Sequence, residues 1–130
     1  MLRRRARYRS LWAFGSALLL VSGCSSAQEA DVERVATAFA DPAGDAGERC
    51  DLLAPAALAA LEEIAPCTEA IERLPLDGGA VQGVEVWGGE AQVTLLGDTV
   101  FLTETSAGWK VTAAACRRQA DAPYDCEVEP

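Results

Sequence analysis

The chain contains no histidine, no asparagine and a single lysine, Lys110. Without histidine there is no Ser–His–Asp triad, no imidazole base and no His-ligated metal. Without asparagine there is no acceptor for N-glycosylation. No two cysteines stand in a Cys-x-x-Cys spacing, which removes the usual zinc-ribbon and dithiol redox patterns. Aromatic residues make up only 6% of the chain. The two tyrosines are Tyr8 and Tyr124, so phenol-assisted proton transfer in the body of the chain has one candidate, Tyr124.

The 130 residues suit one small domain, and a 50% hydrophobic content argues against a disordered chain. The formal net charge is −9. Residues 1–23 carry five Arg and no acid, so the remaining 107 residues hold 6 basic against 20 acidic groups, a net of −14. Binding to nucleic acid or to an anionic surface by charge alone is therefore disfavoured.

Residues 1–23 read as an export signal. Arg3, Arg4, Arg5, Arg7 and Arg9 form a positive start, and Leu11 to Val21 an apolar stretch. That stretch falls short of the about 20 apolar residues of a membrane span. It ends Leu20-Val21-Ser22-Gly23-Cys24. A cysteine directly after small residues at this place resembles the bacterial lipobox. The resemblance implies cleavage between Gly23 and Cys24 and a thioether-linked diacylglycerol on Cys24. Two acyl chains, at about 0.8 kcal/mol per buried CH2, give stable anchoring. Residues 24–30 are expected to be a lipidated tether and 31–130 a single domain at the extracytoplasmic side of the cell membrane. The competing reading is a secreted protein with a chance cysteine, or an uncleaved anchor.

Cys50, Cys67, Cys116 and Cys126 remain, an even number in an exported chain, which reads as disulfides. Four cysteines allow three connectivities. Sequence locality favours Cys50–Cys67 and Cys116–Cys126.

Val32, Val35, Ala36 and Phe39 share one face of a helix from about Gln28 to Ala40, which Asp41-Pro42 ends. A short helix is expected from Ala46 to Leu53. Pro55 suits the first turn of the next, with Leu58, Leu61 and Ile64 as its buried stripe. Pro66 breaks it and opens another through Leu74. From Ala80 the apolar period changes to two, and four strands are expected at 81–87, 90–96, 99–105 and 109–116. Gly88-Gly89 and Gly97-Asp98 read as two-residue turns, and Ser106-Ala107-Gly108 as a longer one. Tyr124 to Val128 forms a further short extended piece. The fold class is α+β: helices packed on a four-stranded antiparallel meander, stapled by disulfides.

The helix-then-meander order, ending in the strand Gly108-Trp109-Lys110-Val111, resembles the nuclear transport factor 2-like superfamily. The chain also looks similar to small actinobacterial-type lipoproteins with two cysteine pairs. The excess of ten Arg over one Lys suits a high-GC bacterial genome. The resemblance covers about residues 28–128. It implies a cone-like sheet wrapped on helices, with a pocket at the open end. Enzymes of that kind use a carboxylate with Tyr or His on a desolvated carbon.

No catalytic constellation emerges from the residues. Glu90 and Asp98 stand at or beside turns, where solvated carboxylates are routine. Glu85 and Glu104 alternate with apolar neighbours and are expected to face away from the helices. Trp87 and Trp109 read either as a pocket wall or as core residues packing on Phe39 and Leu58, and the core reading is favoured. Phe101 and Leu102 point to opposite faces. The run Asp41, Asp45, Glu48, Asp51 lacks calcium-loop spacing, so no metal site is assigned. Arg117 and Arg118 are expected to pair with Asp121 or Asp125.

The expected function is that of a non-catalytic, lipid-anchored envelope domain binding a partner protein or small ligand. No cofactor is expected beyond the diacylglycerol, and no nucleic acid. The alternatives are a small cyclase-like or isomerase-like enzyme using a pocket carboxylate, and a purely structural envelope lipoprotein.

Overall fold

The computed structural model describes residues 23–121 and 123–130. The leader, residues 1–22, lies outside the described residues, as does the side chain of Cys24. The fold is α+β. Four helices, α1 (Gly23–Ala40), α2 (Ala46–Asp51), α3 (Pro55–Glu62) and α4 (Cys67–Glu72), precede five strands. These are β1 (Val81–Trp87), β2 (Glu90–Leu95), β3 (Thr99–Thr105), β4 (Gly108–Arg117) and β5 (Asp125–Val128). The strands form one antiparallel sheet in the order β1-β2-β3-β4-β5. The expected count of four is thus corrected to five. The short extended piece near the C-terminus pairs with β4 and becomes an edge strand.

The helix α1 supplies the main cover of the sheet. Val32, Val35, Ala36 and Phe39 are all 3% exposed or less, as their spacing predicts. They meet Val93, Val100, Leu102 and Val111, all fully buried on one face of the sheet. The helix begins earlier than its apolar pattern. Residues 24–30, expected as a tether, are helical, and Ser25, Ser26, Ala27, Glu29 and Ala30 are exposed. From Cys24 to Val32, the first core residue, a helix rises about 12 Å.

The other helices are short and need local devices to hold them. The Asp45 carboxylate accepts from the Glu48 N–H at 2.9 Å and caps α2, and Pro55 opens α3. A disulfide joins Cys50 in α2 to Cys67 in α4, and a second joins Cys116 in β4 to Cys126 in β5. These are the sequence-local pairs. The helix α3 stops at Glu62, two residues before Ile64. Ile64 therefore leaves the expected stripe and is 77% exposed, while Ala57 and Leu61 are buried.

The link between α2 and α3 runs beside the first half of β4. Leu53 bridges Val111 in parallel, with Ala54 N–H donating to the Val111 carbonyl and Val111 N–H to that of Leu52, both at 2.8 Å. The second half of β4 pairs with β5 instead. The change of partner comes with a register shift opposite Phe101 and Leu102, and with Ala115 at φ 53°. A non-glycine residue there is uncommon and needs support from its surroundings.

Candidate functional site

Side-chain direction across the sheet follows from the register. Trp87 pairs with Glu90, Glu90 with Thr103, and Thr103 with Lys110. Glu85, Gln92, Phe101 and Ala113 make the next row. Both rows lie on the face away from α1, because in the intervening row of Val86, Ala91, Leu102 and Val111 the last three are buried and Val86 is half-buried. The outer face carries a cover of its own over β3, where the Tyr124 ring meets Phe101 edge-on at 5.1 Å. Phe101 and Leu102 thus point to opposite faces, and both are shielded.

Trp87 and Trp109 are not brought together. Trp109 is 7% exposed and belongs to the core, whereas Trp87 is 51% exposed at the end of β1. They stand on opposite faces of the sheet. They do not form a common pocket wall, and the core reading holds for Trp109 alone. Trp87 is placed outward by the two-residue turn Gly88-Gly89, in which Gly88 takes φ +62°. That turn fixes Trp87 opposite Glu90 and, two residues back along the strand, Glu85 on the same face.

Glu85 faces outward as expected. Glu104 does not follow that expectation, since it shares the face of Leu102 and pairs with Trp109. It remains exposed beside the Gly88-Gly89 turn, where its N–H donates to the Gly89 carbonyl at 2.7 Å. Among the described residues the side-chain ion pairs are Arg34–Asp31 and Arg73–Glu69, and neither includes Glu85 or Glu90. Glu90 accepts a hydrogen bond from the Thr103 hydroxyl at 2.8 Å.

Asp98 is the residue that sequence reasoning misplaced. The hairpin between β2 and β3 closes one residue earlier than expected, with Leu95 N–H donating to the Asp98 carbonyl at 2.8 Å. Leu96 and Gly97 become the turn residues, Leu96 is 69% exposed, and Asp98 moves inward to 7% exposure. Its carboxylate accepts from the N–H groups of Thr99 (2.7 Å), Cys116 (3.0 Å) and Ala115 (3.2 Å). It thereby holds the left-handed Ala115 step against the head of β3. Burial raises its carboxyl above the ordinary range, the three backbone donors pull the other way, and Asp77 adds to the rise. A hollow of about 170 Å³ adjoins it, lined in part by Pro75, Asp77 and Arg117. Both carboxylate oxygens are spent on the backbone, so the geometry is that of a clasp between strands. Two of the three donors lie 17 and 18 residues further along the chain, which no local pattern reveals.

Arg49 is a second buried charge, 4% exposed. Its Nε donates to the Phe39 carbonyl at 2.8 Å and its guanidinium lies 5.8 Å from the Phe39 ring. It satisfies a carbonyl at the end of α1, where a cation also suits the helix dipole. Burial lowers its pKa, while Asp41 and Glu72 oppose that. The acidic run of the sequence is thereby divided. Asp45 caps α2, Asp41 accepts from Ala43 N–H at 2.9 Å, and Arg49 sits among them. The pairing expected for Arg118 is corrected: it donates to the Tyr124 hydroxyl at 3.1 Å and lies over that ring.

An apolar hollow of about 360 Å³ lies between α3, α4 and β5, lined by Leu61, Ile64, Ala70 and Leu74, with Arg73 and Glu127 at its rim. Among the described residues no helix is long and apolar enough to cross a membrane. No protein-family model, curated protein or solved structure matches the chain.

Proposed function

We propose that the protein is a lipid-anchored domain of the bacterial cell envelope, facing the extracytoplasmic side, that binds a partner and carries out no catalysis. One observation carries this reading. The lipobox cysteine, Cys24, stands at the first turn of α1, and the same helix supplies Val32, Val35 and Phe39 to the core. A diacylglycerol on Cys24 therefore joins the folded body through a continuous helix. The reading also takes residues 1–23 as a cleaved signal, and the sheet as a cone-like one of the nuclear transport factor 2-like kind. Support for the latter comes from the helix-then-meander order and from register shifts in β1–β2 and β3–β4, which bend a sheet.

Binding is favoured over catalysis by the state of the carboxylates. The one that burial perturbs, Asp98, is engaged by three backbone donors. Trp87, by contrast, is free to contact a partner. The test is the intact mass of the protein extracted from membranes with detergent, before and after reduction. The expected mass is that of residues 24–130 plus acyl chains, rising by four hydrogens on reduction. A mass without lipid, or with the leader attached, overturns the proposal.

A further inference from the structure

We propose that the free edge of β1 docks an extended, basic segment of a partner protein, which adds as a sixth strand beside Trp87. This rests on the reading of the chain as a binding domain and deepens it. Among the described residues β1 pairs with β2 alone, so alternate N–H and C=O groups along its other side have no sheet partner there. The register shift lies between Val81 and Gly83, which leaves Gly83 to Trp87 in regular pairing. The apolar layer beneath this edge is unfinished. Val84 and Val86 are only half-buried, whereas their cross-strand partners Val93 and Ala91 are fully covered. An added strand would place every second side chain over that layer and the alternate ones on the outer face.

The outer face selects the charge of those alternate residues. Trp87 is the large exposed aromatic here, with Glu85 beside it and Glu90 across from it. Neither carboxylate has a cation partner among the described ion pairs. A Lys or Arg on the incoming strand would sit against the Trp87 ring and these carboxylates. A second copy of this chain brings Glu85 and a strongly negative body to the same edge and is repelled. The fitting segment alternates apolar and basic residues. The opposite edge of the sheet offers less, because β5 has only four residues against the seven of β1.

The test uses the full chain in detergent and two synthetic ten-residue peptides, one alternating Val and Arg, the other Val and Glu. Binding is read by titration, and its place by amide hydrogen exchange. The Val–Arg peptide is expected to bind with an affinity that falls with salt and to protect the amides of residues 81–87. Trp87→Ala, or Glu85→Lys as a second variant on the same face, is expected to weaken binding roughly tenfold or more. The proposal is overturned by any of four outcomes: no binding, equal binding of the acidic peptide, protection centred on the apolar hollow at Leu61 and Ile64, or concentration-dependent protection of 81–87 without peptide. A lipid-bearing mass together with any of these leaves the anchoring reading in place and removes only the docking edge.

Discussion

The two disulfides close loops of similar length, 17 and 10 residues apart, so loop-closure entropy assigns each about 3 kcal/mol. The structure predicts that their removal has unequal consequences. Cys50 and Cys67 are both buried and join α2 to α4, two helices of six residues each that depend on packing rather than propensity. Replacing both by Ala frees the unfolded chain while the native helices stay constrained by the core. The full loss then appears in stability, and a domain of about 100 residues should melt roughly 12–24 °C lower. Cys126 lies on β5, an edge strand of four residues whose one fully buried side chain is Val128. With Cys116 and Cys126 both replaced by Ala, the segment after Arg117 can fray while the rest stays folded. The native state then gains much of the freedom that the unfolded state gains, and the two cancel. The second variant should lose less than half the melting temperature lost by the first. It should instead show fast amide exchange confined to residues 118–130. Thermal melts by circular dichroism, with exchange measured by mass spectrometry, give both readouts. Equal losses in melting temperature, or uniformly faster exchange in the second variant, would refute the distinction between a core staple and an edge tie.

Other consequences are simpler to state. Trp109→Ala removes a buried aromatic and should cost about 3–5 kcal/mol, whereas Trp87→Ala should change stability by less than about 1 kcal/mol; chemical denaturation compares them directly. Asp98 titrates above its ordinary value because of burial, so its contribution to stability is full below the ordinary carboxylate range and is lost as pH rises through the raised folded value. Asp98→Asn should remove that part of the slope in urea melts run from acid to neutral pH, and an unchanged slope would show that Asp98 does not titrate differently in the fold.

The order of elements was legible because it rests on short-range chemistry. The 3.6-residue spacing of Val32, Val35, Ala36 and Phe39 and the two-residue spacing of the strands need no distant information. What sequence could not show came from contacts between remote segments or from one-residue register. The early closure of the β2–β3 hairpin took Asp98 out of the turn and set it opposite Leu95, where the remote N–H groups of Ala115 and Cys116 reach its carboxylate. The early end of α3 put Ile64 outside. Arg49 has no signal in the sequence, because its partner is the Phe39 carbonyl, a backbone group that no residue pattern marks. Trp87 and Trp109 share a residue type and a strand-like neighbourhood, yet the odd and even rows of one sheet separate them.

If the domain is lipid-anchored as proposed, an open strand edge creates a specific hazard. Confinement to a surface raises the local concentration of copies and favours edge-to-edge pairing. Natural edges are protected by bulges and by charges set on the edge strand itself, and β1 has both, in the shift at Val81–Gly83 and in Glu85. The protection has a direction. A carboxylate on the edge repels a strand of like charge and attracts a basic one, so the group that suppresses self-pairing also sets the sign of the partner. A neutral protective device, such as proline, would have closed the edge to every strand alike. Substituting Glu85 by Lys should therefore have opposite effects on two measurements. Capture of the Val–Arg peptide should fall, while capture of the Val–Glu peptide should rise. A variant that loses the first without gaining the second would show that Glu85 protects the edge without selecting what binds there.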